Sequence, residues 1–215
     1  MSVRVVVMAK APIAGLAKTR LAPALGAAGA AALARRLLVH AVEQAVDAGL
    51  GPVEICAAPD TTHEAFAALQ QRLGVSLQPQ GDGDLGARMH RVFVRHDSPL
   101  LLMGSDIPAL DAHRLREAAA RLATHDAVFV PAHDGGYALV GLRTPCAAVF
   151  EGMVWSVPTV MAATRERLRA AGLRHAELPA VHDIDETADL VHLPACLSVN
   201  APIPLSTKPF KENAP

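Results

Sequence analysis

Short apolar, β-branched runs alternate along this chain with longer alanine- and leucine-rich stretches whose apolar positions recur at helical spacing. That alternation predicts a mainly parallel sheet covered by helices on both faces, a three-layer α/β/α sandwich. Strands are predicted at 3–8, 53–57, 75–78, 100–104, 127–130 and 138–142. Helices are predicted at 27–48, 62–73, 85–96, 111–123 and 158–171. In the first helix Leu38, Ala41, Val42 and Ala45 fall at i, i+3, i+4 and i+7, and Gly49 stands where a C-terminal cap belongs. Asp111 is placed to cap the fourth helix and Ser156 the fifth. No internal repeat is visible.

With 215 residues and 51% hydrophobic content, the chain can bury the core of one medium domain, predicted at 1–193. From 194 to 215 the prolines break helix and central strand alike, which predicts a tail. Leu197, Val199 and Ile203 could drape it over the domain, and disorder suits the same composition. The formal charge of −1 argues against nucleic-acid or membrane-surface binding, which use a strong basic excess. No apolar run approaches a membrane span, and the N-terminus has no signal-peptide pattern, so the expected location is cytoplasmic. Cys56, Cys146 and Cys196 are odd in number and widely spaced, which predicts reduced thiols that mostly pack. Sequence leaves the oligomeric state open.

Any anion site must therefore be local, and the first strand leads straight into one candidate. Residues 10–21 carry Lys10, Gly15, Lys18, Thr19 and Arg20, three cations and a hydroxyl on a turn before the first helix. A solvated basic turn explains the same residues. A Walker A loop would need glycines where Pro12 and Ala17 stand, and a dinucleotide fingerprint needs more than one glycine here. An ordinary P-loop kinase and a nicotinamide dehydrogenase are both excluded.

In a parallel α/β sheet, ligands bind at the carboxyl ends of strands. Asp106 stands at such an end, before an Ile107-Pro108 step that keeps the backbone extended, which suits a ligand to a hard divalent cation. Asp134-Gly135-Gly136-Tyr137 pairs a carboxylate with two permissive glycines and also reads as a turn between strands. In 182–189, an extended backbone would point Asp183 and Asp185 one way and Ile184 into the core. Either aspartate could complete a metal site with Asp106; a helix cap at Asp185 or Thr187 is the competing assignment. Residues 80–89 form a glycine-rich turn opening a helix. His40, His63, His90 and His113 are expected on solvated helix faces without a catalytic role.

Taken in order, these motifs resemble the bacterial DUF2064 family of GT-A-type glycosyltransferases, in the nucleotide-diphospho-sugar transferase superfamily. The carriers are Met8-Ala-Lys-Ala-Pro, Gly15, Lys18-Thr-Arg-Leu, Gly83-Asp-Leu-Gly with Arg88-Met, and Gly104-Ser-Asp-Ile-Pro. Further along come Asp134-Gly-Gly-Tyr, Gly141-Leu, Trp155-Ser, Thr159-Val, Asp183-Ile-Asp-Glu-Thr and Asp189-Leu. The resemblance implies a GT-A-like fold with a mixed, mainly parallel sheet. It implies metal-assisted transfer of a glycosyl group from a nucleoside-diphosphate sugar to a small-molecule or glycan acceptor.

By the same resemblance Lys18 and Arg20 would hold the donor phosphates, and Asp106 would bind Mg²⁺ or Mn²⁺; Asp183 and Asp185 remain the residues whose alternation lets either complete the site. Asp134 would serve the acceptor hydroxyl as base. Lys10, Gly15, Thr19, Gly86, Arg88, Gly135, Gly136, Tyr137 and Trp155 would bind substrate. Ser105-Asp106 stands where many glycosyltransferases have a full D-x-D. The Lys18-Thr-Arg-Leu loop also resembles nucleotidyltransferases such as the phospholactate guanylyltransferases and the molybdenum-cofactor nucleotidyltransferases, which release pyrophosphate. A third reading is a non-catalytic nucleotide-binding protein.

Overall fold

The structure, a computed structural model, describes residues 2–96 and 99–198. Its centre is a seven-stranded sheet of order β3-β2-β1-β4-β6-β5-β7. The strands are β1 (Arg4–Lys10), β2 (Val53–Ala58), β3 (Ser76–Pro79), β4 (Leu100–Gly104), β5 (Ala127–Pro131), β6 (Tyr137–Leu142) and β7 (His175–Glu177). β1 pairs in parallel with β2 and β4, β2 with β3, and β5 with β7. β6 runs antiparallel to both β4 and β5. The sheet is therefore mixed and mostly parallel, and all six predicted strands are in it.

Five helices cover it: α1 (Ala22–Asp47), α2 (Glu64–Leu73), α3 (Leu85–Val94), α4 (Ala112–Leu122) and α5 (Val160–Ala170). Alternation along β1 divides the core. Val5 and Val7 face Leu38, Ala41, Phe66 and Leu115 of α1, α2 and α4. Val6 faces Met89 and Phe93 of α3 and Met161 and Leu168 of α5. Asp111 caps α4 by accepting from Arg114 N at 2.8 Å, and Gly49 follows α1 at φ 63°.

Four expectations are corrected. Ser156 does not cap α5; it sits at φ 61°, and Thr159 holds the N-terminal position without a side-chain bond. His63 lies just outside α2 and caps it, Nδ1 accepting from Ala65 N at 3.1 Å. Of the other three helix histidines only His113 is exposed, while His90 stacks on Phe150 and His40 meets the Pro108 carbonyl. Thr19–Asp47 does reach the length and apolarity of a membrane span, with a window of mean hydropathy 1.3. In the fold, Leu38, Ala41, Val42 and Ala45 of this stretch pack on the sheet, and Gly26 interrupts it at φ 70°.

At the far end, Leu197 packs with Leu21, Leu33, Leu37 and Ile184 through a 3-10 turn at Ala195–Leu197. Val199 and Ile203 lie outside the described residues.

Candidate active site

Three strand tips and one downstream segment build the site. Past β1 the chain turns tightly, with Ile13 O accepting from Leu16 N at 3.0 Å and from Ala17 N at 2.9 Å, and Gly15 at φ 81°. Lys18 is left-handed at φ 49°, which is costly for a residue with a Cβ. The turn carries Lys18 Nζ to 2.7 Å from Asp106 Oδ2 and 3.4 Å from Asp185 Oδ1. Arg20 Nη1 donates to Asp185 Oδ2 at 3.0 Å and Glu186 Oε1 at 3.3 Å.

Asp106 follows β4. A Cβ on Gly104 would stand 2.9 Å from Asp106 Oδ1 and 2.8 Å from Ile107 Cδ1, so a side chain there would make that carboxylate shift. The Asp106 carbonyl accepts from Ile184 N at 3.0 Å, which ties the 183–185 segment to the same tip. Ile184 is fully buried, as the alternation predicts. The cap position of the turn at Thr187–His192 is held by Glu186, not Asp185 or Thr187, and Asp189 closes a capping box, its Oδ2 accepting from Glu186 N at 2.7 Å and from Asp185 N at 3.0 Å. The Asp185 carboxylate is thereby left to the cations.

The result is a two-part cleft. The larger part, about 880 Å³, is lined by Lys10, Lys18, Thr19, Arg20 and Arg88, with Asp185 at its side. The smaller, about 240 Å³, has a mostly apolar wall that includes Met8, Met89, Tyr137 and Trp155, with Gly136 and Asp183 also lining it. Asp106 and Asp134 line both parts. Asp134 is set by its own turn, Oδ1 accepting from Gly136 N at 2.9 Å, so the strand-turn reading and the site reading hold together.

Burial raises the Asp183 carboxyl above the usual carboxylate range, and the charges of Asp134, Asp106 and Asp189 push it the same way. Burial also pushes the Tyr137 phenol up, so that it stays neutral; its hydroxyl faces Met89 Sδ at 3.9 Å.

Among the described residues no three His, Cys, Asp or Glu side chains stand close enough to enclose an ion. The expected set of Asp106, Asp183 and Asp185 is thus not assembled as a closed site, because the Lys18 ammonium occupies the space between Asp106 and Asp185. The donor chemistry still fits Mg²⁺ or Mn²⁺. These hard ions need only one or two carboxylates when phosphates supply the remaining oxygens. Asp106 and Asp183, which both line the smaller cavity, offer that pair.

Three glycines expected to bind substrate line neither cavity: Gly15, Gly86 and Gly135. A Cβ on Gly86 would meet the Phe150 carbonyl and the Trp155 ring, and one on Gly135 would overlap Pro158. Those two make room for Trp155 and the start of α5. Sequence reasoning missed Gln80, which is buried and whose Nε2 donates to Ala9 O at 3.2 Å and Cys56 O at 3.0 Å, stitching β1 to β2 beside the larger cavity. Its signal was a polar side chain directly after a strand. Met8 and Met89 stand in the motifs that carry the resemblance, but nothing in them pointed to a pocket wall, because a pocket-lining methionine reads as core.

Residues 41–157 match the family described as uncharacterized proteins conserved in bacteria (DUF2064). No curated protein matches the chain. Among solved structures, a Desulfovibrio desulfuricans G20 protein provisionally named a nucleotide-diphospho-sugar transferase is 31% identical, with TM-score 0.77 over 86% of this chain and 84% of that one. A cytidylyltransferase from Leptospira borgpetersenii is similar at 13% identity and TM-score 0.59, covering 92% of this chain and 87% of that one. Rv0371c from Mycobacterium tuberculosis H37Rv, solved in complex with manganese, is similar at 15% identity and TM-score 0.50, covering 89% and 97%. The two more distant likenesses speak to the fold alone. By its family match and its 31% identity to the Desulfovibrio protein, this chain belongs to the DUF2064 family and carries the nucleotide-diphospho-sugar transferase fold.

Proposed function

We propose that this protein is a GT-A-type glycosyltransferase that moves a glycosyl group from a nucleoside-diphosphate sugar to an acceptor hydroxyl. The observation that carries the reading is the asymmetry of the cleft. Every lysine and arginine that lines it belongs to the larger cavity, and the smaller has none. A smaller cavity without cations suits an acceptor hydroxyl better than the phosphorylated second substrate of a nucleotidyl transfer.

In this reading Lys18 and Arg20 bind the donor diphosphate, Lys10 and Arg88 flank it, and the sugar lies at the junction lined by Asp106 and Asp134. Asp106 and Asp183 would hold Mg²⁺ or Mn²⁺. Bound there, the ion supplies Lewis-acid stabilisation of charge on the departing diphosphate. Manganese bound to Rv0371c, a protein of similar fold, agrees with that choice. Lys18 and Arg20 stabilise the same charge directly. Asp134 takes the proton of the acceptor hydroxyl as the new glycosidic bond forms.

A thermal-shift panel of nucleotide sugars and NTPs, with and without Mn²⁺, tests the reading. A ligand at 100 times its Kd adds about 2.7 kcal/mol to stability. Metal-dependent stabilisation by a nucleotide sugar is expected; response to NTPs alone would favour the nucleotidyltransferase.

A further inference from the structure

The smaller cavity has a chemistry of its own. Its wall is built from the buried inner faces of β4, β6, α3 and α5, including Leu102, Val140, Met89 and Val160. Two aromatic rings complete it, Tyr137 and Trp155 meeting edge to face at 6.3 Å. Its charged lining residues are Asp106, Asp134 and Asp183. Asp106 shares its charge with Lys18, and Asp134 lies where the two cavities meet. An anionic guest would enter against carboxylates and find no cation on the wall. A polyhydroxylated guest would strand most of its hydroxyls against carbon, at a cost for each unpaired group.

A dry cavity of about 150 Å³ holds a benzene ring, so 240 Å³ admits a ring with a short substituent. The residues shared by the two cavities, Asp134 among them, mark where a substituent of that guest would meet the donor.

From this we infer that the acceptor, which the smaller cavity binds, is a compact, largely apolar alcohol without anionic groups, and is neither a phosphorylated sugar nor a free sugar. The hydroxyl points to the Asp134 junction while the apolar body lies against Trp155, Tyr137 and the methionines. The inference rests on the glycosyl-transfer reading for the word acceptor. The occupant's chemistry rests on the cavity alone.

Trp155 is the only tryptophan of the chain, so its fluorescence reports the pocket directly. The test titrates benzyl alcohol, benzyl phosphate and glucose into the full-length protein, with nucleoside diphosphate and Mn²⁺ present and absent. Benzyl alcohol is expected to change the Trp155 signal saturably, with a Kd at least tenfold below those of benzyl phosphate and glucose. Filling the pocket by Ala138→Phe should abolish the response. Val157→Phe, at the mouth rather than in the core, should weaken it even if the first variant folds poorly.

Equal or tighter binding of benzyl phosphate or glucose overturns the inference, as does the lack of a saturable response to benzyl alcohol in both conditions. Donor binding is read separately, by thermal shift with nucleoside diphosphate. A protein that takes the diphosphate but prefers benzyl phosphate therefore refutes the acceptor class without refuting the donor site. One that binds benzyl alcohol but ignores every nucleotide does the reverse.

Discussion

Lys18 Nζ lies 2.7 Å from Asp106 Oδ2, joining two strand tips 88 residues apart in sequence. The pair places the proposed phosphate-binding cation directly against the candidate metal ligand. Lys18 is thus a counter-ion in the unliganded protein as well as a candidate donor contact, and its side chain is only 11% exposed.

Lys18→Met removes that counter-ion while keeping the stem. It leaves Asp106 without its cation while Asp185 keeps Arg20, and both carboxylates are a third or more exposed, so water recovers part of the loss. The expected destabilisation is about 1 kcal/mol, a fall in Tm of about 2–4 °C. Nucleoside-diphosphate affinity should fall at least tenfold. Calorimetry of the free and bound protein measures both.

Asp106→Asn should leave the fold intact, since the backbone bond from Ile184 N does not use the carboxylate. Turnover should fall by roughly two or more orders of magnitude, because a metal contributes several kcal/mol of charge stabilisation. Unchanged turnover would sink the assignment of Asp106 as a metal ligand, and steady-state kinetics decides.

The aspartates and the basic loop were legible in sequence because strands with polar tips announce the edge where a parallel sheet binds ligands. What sequence could not show was which glycines serve the ligand and which serve the frame. Gly135 reads as a ligand glycine beside Asp134, yet its missing Cβ admits Pro158. β7 escaped because its three residues, His175-Ala176-Glu177, carry no apolar run. Ser156 resembled a cap only because the backbone turn that precedes α5 leaves no mark on composition.

Gly135→Ala tests that frame role. The residue sits at φ 92°, and a Cβ there would overlap the Pro158 backbone. Both effects oppose the variant, and the expected loss exceeds about 2 kcal/mol, read from urea unfolding.

The Arg165–Glu177 pair predicts part of the acid limb of stability. Arg165 Nε and Nη2 each donate to Glu177 at 2.7 Å, and this hydrogen bonding holds the Glu177 carboxyl below its ordinary value. A depressed folded pKa adds stability that is present above the unfolded value and disappears as pH falls through the folded one. The stability gap between wild type and Glu177→Gln should therefore narrow as pH drops from about 5 towards 3. Denaturant unfolding across that range measures it; a constant gap would show that the pair adds nothing.

The central claim is that the cleft transfers a glycosyl group from a nucleotide sugar. The most direct measurement is ³¹P NMR of the protein incubated with Mg²⁺ and a panel of nucleotide sugars, beside NTPs paired with sugar phosphates. Metal-dependent release of nucleoside diphosphate from one nucleotide sugar, with no pyrophosphate from any NTP, is the predicted result. Pyrophosphate released from an NTP and a sugar phosphate, with every nucleotide sugar left intact, would contradict it.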